Sequence, residues 1–309
     1  MKIISGSANI DFAKKVVGIL ETELATTVVS RFADGEIFVE IKEKVRGENV
    51  YVIQSTCHPT NDNLMELLII LDALKRASAG RVVAVIPYYG YARQDRKTSP
   101  RTPISAKLVA NLITAAGADR VATLELHTGQ IQGFFDIPLD NMYSSGMFVD
   151  DIRQRIHSDN LMVVSPDVGG ILRARGVARK LGVDLAVIDK RREKAGVSEV
   201  MNVIGDVKGM DCVLVDDIVD SAGTLCNAAD AIMARGAKSV FAYVTHGVFS
   251  GNAVKRVEES SIKKIIITDT IPLKETTKSC KKIEVISASA LFAEVIKRID
   301  NEESVSYLF

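Results

Sequence analysis

Short runs of valine, isoleucine and leucine alternate with helical patterns along almost the entire chain, and this alternation restricts the fold more than any other feature. NVYVIQST (49–56), RVVAVIPYYG (81–90) and DRVATLELH (119–127) lack the in-and-out pattern of a strand with one face in water. Short, continuous apolar strands of this kind belong to parallel sheets covered on both faces. Between the first two, NDNLMELLIILDALKRASAG (61–80) repeats its apolar residues at helical spacing, with Asn61 or Asp62 placed to cap the start and Gly80 just past the end. A further helix is expected near 104–117. LMVVSPD, LAVIDK, CVLVDD, SVFAYVTH and KKIIITDT carry the rhythm through the second half. The expected class is α/β, with mainly parallel sheets flanked by helices.

At 309 residues the chain has room for two domains of roughly 150 residues each. A faint internal echo points the same way. AGADRVATLELHTG (116–129) and RGAKSVFAYVTHGV (235–248) each close a helix with Gly-Ala and run a strand into a histidine, ten positions after Gly117 and Gly236. The boundary is expected near 140–150, giving domains 1–145 and 146–309. Hydrophobic residues make up 47% of the chain, enough for sizeable cores, while 39 basic and 39 acidic residues cancel. No global field therefore favours nucleic acid or an anionic membrane. No apolar run reaches the ~18 residues of a membrane helix, and MKIISGSANIDFAKK has no apolar signal core. Cys57, Cys212, Cys226 and Cys280 form no CxxC pair, which fits reduced thiols. A cytoplasmic location is expected.

The stretch richest in chemistry is VLVDDIVDSAGT (213–224). Ligands gather at the carboxyl ends of parallel strands, and Asp216 and Asp217 stand at such an end. Ionised carboxylates only accept hydrogen bonds, so they suit vicinal sugar hydroxyls, which donate. Side chains alternate along a strand, so the two need not crowd each other. In the following turn small residues let backbone N–H groups point inward, Ser221 and Thr224 add hydroxyls, and the helix start adds partial positive charge. Together these form a phosphate cradle. Asp220 would repel a phosphate and is expected to face a sugar, a metal or an N–H. An ordinary capped strand-to-helix turn and a phosphoacceptor domain are the competing readings, the second weakened by the short remaining chain.

VLVDDIVDSAGT resembles the phosphoribosyl-diphosphate binding motif of the phosphoribosyltransferase fold. RFADGEIFVEI (31–41), the long block 52–97, QIQGFFDIPLDN (130–141), VVSPDVGGILRAR (163–175), IDKRR (188–192) and SVSYLF (304–309) narrow the resemblance to ribose-phosphate diphosphokinase, the phosphate-activated bacterial type. It covers essentially the whole chain, in order. It implies two similar phosphoribosyltransferase-type (Rossmann-like) domains and transfer of the diphosphoryl group of Mg-ATP to the 1-hydroxyl of ribose 5-phosphate. The products would be AMP and 5-phosphoribosyl 1-diphosphate, which feeds nucleotide, histidine and tryptophan synthesis. The chain has no GxxxxGK[ST] loop, so nothing outside the resemblance points to ATP.

Carried over by position, the resemblance assigns Asp216, Asp217, Asp220, Ser221, Ala222, Gly223, Thr224 and Arg192 to ribose 5-phosphate. Phe32, Asp34, Gly35 and Glu36, partly from a neighbouring subunit, join Arg93 and Gln94 at ATP. His127 and Asp167 would be linked to Mg²⁺. Lys190 and Arg192 would be the catalytic cations, on a loop that closes over ATP. Arg46, Arg101, Ser304 and Ser306 would form a regulatory site at subunit contacts for inorganic phosphate and ADP, in a homo-oligomer expected to be a hexamer. The first domain would make the ATP and regulatory contacts; the second would hold the sugar phosphate and the catalytic loop. Neither nucleic acid nor membrane is an expected partner.

Two departures stand out: Glu125-Leu126-His127 where the family usually has Asp-Leu-His, and an arginine-poor KTSPRTP (97–103) with Pro100. A catalytically silent regulatory relative is the alternative, but it would be expected to carry a broken or enlarged 190–205 loop. A base-specific phosphoribosyltransferase shares only the 213–224 motif.

Overall fold

The computed structural model describes residues 1–191 and 200–308, without the side chains of Lys190, Arg191, Val200 and Tyr307. The chain forms two compact units: residues 1–143 with 270–272 and 287–309, and residues 144–269 with 273–286. The linear division at 145 therefore misses two returns of the chain, because residues 270–272 and the C-terminal segment belong to the first unit.

The first unit runs β1 (Lys2–Ser5), α1 (Ile10–Ile19), β2 (Thr27–Arg31), β3 (Ile37–Ile41), β4 (Asn49–Ile53), α2 (Thr60–Arg76), β5 (Arg81–Ile86), α3 (Ser105–Ala116), β6 (Arg120–Leu124) and β7 (Leu139–Met142). Its main sheet is parallel throughout, in the order β1-β4-β5-β6-β7, while β2 and β3 form a separate antiparallel hairpin. Leu67, Ile70, Leu71 and Leu74 on α2 are fully buried at the expected helical spacing. Each such side chain contributes about 1.5–3 kcal/mol relative to exposure.

The ends of α2 differ from expectation. Pro59 occupies the cap position without a side-chain hydrogen bond. Asn61 instead accepts from the Tyr91 hydroxyl, and Asp62 pairs with Arg31. The helix ends at Ala77, and Gly80 serves close packing: a Cβ there would lie 2.7 Å from the Gly47 carbonyl oxygen. The C-terminal helix (Ser289–Asp300) completes this unit. Phe292 meets Phe12 edge-on at 5.3 Å, and Asp300 accepts from Asn49 at 2.9 Å and from the Tyr51 hydroxyl at 3.3 Å.

The second unit runs α4 (Ser145–Arg155), β8 (Leu161–Ser165), α5 (Ile171–Leu181), β9 (Leu185–Arg191), β10 (Val200–Ile204), β11 (Asp211–Val219), α6 (Gly223–Ala234), β12 (Ser239–Gly247), α7 (Ala253–Glu259), β13 (Ile262–Thr268), α8 (Glu275–Lys278) and β14 (Ile283–Ile286). Its seven strands lie in the order β10-β9-β8-β11-β12-β13-β14, all parallel except β10 against β9.

The two units share a chain order. In each, a strand and helix lead through two further strands to a strand paired in parallel with the first (β4 with β1, β11 with β8), and two more strand–helix steps follow. This order makes β12 equivalent to β5, and β6 equivalent to β13. The sequence echo pairs β6 with β12 and is therefore one step out of register. Left-handed glycines such as Gly117 (φ +116°) and Gly236 (φ +86°) close many helices, so the echo marks helix ends. All four cysteines are free and buried. No helix among the described residues is long and apolar enough to cross a membrane.

Candidate functional site

In the second unit, the carboxyl edge of β8 and β11 collects the acidic residues. β11 is buried through Asp211–Val215, apolar from Cys212 to Val215, and turns acidic again at Asp216. Asp216 Oδ1 accepts from the Asp217 N–H at 2.9 Å and lies 3.4 Å from Arg173 Nη1, which is also 3.2 Å from Asp217 Oδ1. Alternation along the strand does not keep these carboxylates apart, because Asp216 folds back along its own backbone. Burial, then the charge of Asp217, pushes the Asp216 carboxyl well above the usual carboxylate range, with Arg173 pulling the other way.

The turn after β11 has a left-handed residue at Ala222 (φ +61°), directly before α6. A β-carbon in this region costs about 1–2 kcal/mol, and a turn of this shape aims successive N–H groups into one concavity. Cys226 N–H bonds the Ala222 carbonyl at 3.0 Å, so the N–H groups of residues 223–225 are the N-terminal donors of α6. Ser221 and Thr224 are exposed beside them.

The segment after β12 braces this turn, Ser250 from the loop and Arg256 from α7. Ser250 donates its hydroxyl to Asp220 Oδ1, and Arg256 Nη1 donates to the Ser221 carbonyl at 3.0 Å. Asp220 thus meets the Ser250 hydroxyl. Asp167 Oδ1 accepts from the Gly170 N–H at 3.0 Å, and its carbonyl accepts from Ser165 Oγ at 2.7 Å. Lys190 lies on β9 with its backbone opposite Met201, its side chain beyond the description, and Arg192 lies outside the described residues.

In the first unit, residues 32–36 form the turn of the β2–β3 hairpin. Gly35 takes φ +95°, Asp34 Oδ1 accepts from the Glu36 N–H at 3.1 Å, and Phe32 is 55% exposed with its ring edge-on to Phe38. Arg93 and Gln94 are exposed after β5, and Gln94 holds the start of α3 through Ser105 at 2.6 Å. Gly90 fixes that loop, since a Cβ there would fall 2.4 Å from the Thr56 carbonyl oxygen. His127 is half-buried, three residues beyond the end of β6, behind a left-handed Glu125 (φ +47°).

Arg46 bridges to Ala79 ahead of β4 and β5, and Ser304 follows the C-terminal helix, its carbonyl held by Arg298 at 2.9 Å. Ser306 N–H bonds Ser304 Oγ at 3.2 Å. Arg101 (φ +64°) belongs to the loop leaving the opposite, carboxyl end of the sheet. The structure thus gathers Asp167, Asp216, Asp217 and the 220–224 turn along one edge, and separates Arg101 from Arg46 within its unit.

Sequence reasoning missed Arg173, Ser250 and Arg256. Each lies 30 or more residues from its partner in the 216–224 segment, beyond the reach of local pattern. An arginine in the first turn of a helix, where acidic residues are favoured, is the only signal Arg173 gave.

Residues 1–117 match the family described as the N-terminal domain of ribose phosphate pyrophosphokinase, and residues 193–309 match the phosphoribosyl synthetase-associated domain. A ribose-phosphate pyrophosphokinase of Granulibacter bethesdensis is 60% identical over 309 residues, and one of Rhizobium meliloti is 59% identical, with both chains fully covered in each case. The crystal structure of phosphoribosylpyrophosphate synthetase from Mycobacterium smegmatis superimposes with a TM-score of 0.93 at 41% identity, covering 97% of this chain and 99% of that one.

Proposed function

The chain belongs to the ribose-phosphate pyrophosphokinase family, and from that premise we propose how its residues divide the work. The enzyme moves the β,γ-diphosphoryl group of ATP onto ribose 5-phosphate. A bond forms between the 1-hydroxyl oxygen and the β-phosphorus, and the bond from that phosphorus to the α-phosphoryl oxygen breaks. The hydroxyl proton passes to solvent; AMP and 5-phosphoribosyl 1-diphosphate leave.

The observation that carries this reading is the 216–224 edge, where two carboxylates, a left-handed turn and a helix start follow one another. Asp216 and Asp217 accept from the sugar hydroxyls. The N–H groups at the start of α6, with Ser221 and Thr224, hold the 5-phosphate, and Asp220 keeps the turn in shape through Ser250. Phe32, Asp34, Gly35, Glu36, Arg93 and Gln94 serve ATP, the hairpin residues from a neighbouring copy. Lys190 and Arg192 neutralise the transferring oxygens, because diphosphoryl transfer is mostly alignment and charge stabilisation.

Magnesium prefers oxygen and usually takes one or two carboxylates, filling its remaining positions with phosphate and water. The acidic edge fits that demand with one or two carboxylates, Asp167 standing beside the Asp216–Asp217 pair, while no group of three or more side chains able to hold the ion by themselves stands among the described residues. Asp167, through water, is the second unit's candidate partner for the ion, which when bound would polarise the phosphoryl oxygens; His127 is the first unit's candidate metal-linked residue. A homohexamer with phosphate and ADP acting at Arg46, Arg101, Ser304 and Ser306 completes the proposal.

The test is phosphorus NMR of the protein with ATP, ribose 5-phosphate, Mg²⁺ and inorganic phosphate. AMP and phosphoribosyl diphosphate are expected, with turnover lost on chelation. ADP as the nucleotide product would overturn the assignment of attack at the β-phosphorus.

A further inference from the structure

We propose that Arg173 is a positioning residue that sets the enzyme's discrimination for the ribose 2-hydroxyl. It does so by holding the Asp216 and Asp217 carboxylates at the spacing a vicinal diol requires. The inference rests on the reading of these two aspartates as the sugar contacts.

One nitrogen, Arg173 Nη1, lies within 3.4 Å of Oδ1 on both carboxylates, and the arginine side chain is itself only 13% exposed. Both Oδ1 atoms are tied to that one nitrogen, so its position sets their separation. Without it one carboxylate is free to rotate away, which leaves a single acceptor where a diol presents two donors. Each carboxylate has a second oxygen, so the pair retains capacity for hydroxyls while its Oδ1 atoms engage the guanidinium.

Arg173 is also held from behind. It stands in the first turn of α5, whose entry is fixed by the Asp167 bond to the Gly170 N–H. A Cβ on Gly170 would lie 3.0 Å from Ser165 Oγ and 3.8 Å from Arg173 Nη1, so the helix start has little room to shift. The bridging nitrogen is fixed in a planar group; a lysine ammonium on its flexible stem has no such fixed orientation.

The experiment compares Arg173→Met and Arg173→Lys in the full chain. It reads KM for each substrate, kcat, and the ratio of kcat/KM for ribose 5-phosphate over 2-deoxyribose 5-phosphate. Arg173→Met is expected to raise KM for ribose 5-phosphate by about tenfold, the size of a lost charge-assisted hydrogen bond. KM for ATP should stay within about twofold, because no ATP contact is removed, while the ribose preference falls by about fivefold or more. Arg173→Lys should fall between.

An unchanged sugar preference, with KM for both sugars raised in parallel, would reduce Arg173 to a fold-supporting salt bridge. Should Arg173→Met not fold, the lysine variant decides, since full preference in a folded Arg173→Lys overturns the proposal. A wild-type protein that ignores ribose 5-phosphate would break the underlying reading instead.

Discussion

Ser250 grips Asp220 twice, its hydroxyl bonding the carboxylate and its backbone N–H the Asp220 carbonyl at 3.1 Å. A residue on the loop after β12 therefore fixes the turn that opens α6. Ser250→Ala removes the hydroxyl bond, worth about 1 kcal/mol, and should raise KM for ribose 5-phosphate about fivefold. KM for ATP is expected to stay constant in steady-state assays. Equal rises for both substrates would show that this turn is not the sugar-phosphate loop.

Gly90 gives the complementary prediction on the nucleotide side. A methyl group there collides with the Thr56 backbone, which cannot swing aside as a side chain would. Gly90→Ala should displace Arg93 and Gln94, raise KM for ATP about tenfold and destabilise the protein by about 1–3 kcal/mol. Isothermal titration with a non-hydrolysable ATP analogue checks the affinity; chemical denaturation checks the stability.

Tyr243 and Arg155 meet at Asp151, and Arg155 continues to Glu284, which also binds Lys264. Burial pushes the Asp151 carboxyl up, but the Arg155 and Tyr243 hydrogen bonds outweigh it, leaving Asp151 below its ordinary value. The Lys264 hydrogen bond, with help from Arg155, lowers Glu284. Depressed carboxylates stabilise the fold above their unfolded pKa, near 4, and lose that contribution as pH falls through the folded value. Calorimetry should show Tm dropping steeply below about pH 4. Asp151→Asn should lower neutral Tm by roughly 2–6 °C, for a loss of about 1–2 kcal/mol, and flatten the acid limb. Parallel curves would remove Asp151 from the acid response.

Phe292 is buried against Phe12 in the first unit. Phe292→Ala should cost about 3–5 kcal/mol, and native-state hydrogen exchange should locate the loss. Amides of β1 and β4 are expected to lose protection while those of β8 and β11 keep theirs. Uniform loss would show that the two units open as one.

Much of this architecture was legible in the sequence, because strand burial and helical spacing are local properties. The β11-to-α6 turn was readable for the same reason: its acids, small residues and helix start are contiguous. What escaped was set by partners far along the chain. Asn61 and Asp62 look like helix caps until Tyr91 and Arg31 claim them, and Gly80 looks like a helix stop until the Gly47 backbone is seen beside it. Asp216 and Asp217 read as pointing apart because strand alternation knows nothing of a side chain folding back on its own backbone. Arg173 carries no mark in sequence of the two acids it joins.

The return of the last helix to the first unit has a consequence for synthesis. All five strands of the first sheet leave the ribosome early, yet Phe12 has no ring to pack against until Phe292 is made. The nascent first unit must wait with that apolar face uncovered while the whole second unit is translated. A product stalled or clipped before Ser289 keeps every strand of the first sheet but exposes this face to chaperones and proteases. The fold thereby couples survival of the early half of the chain to completion of its final helix.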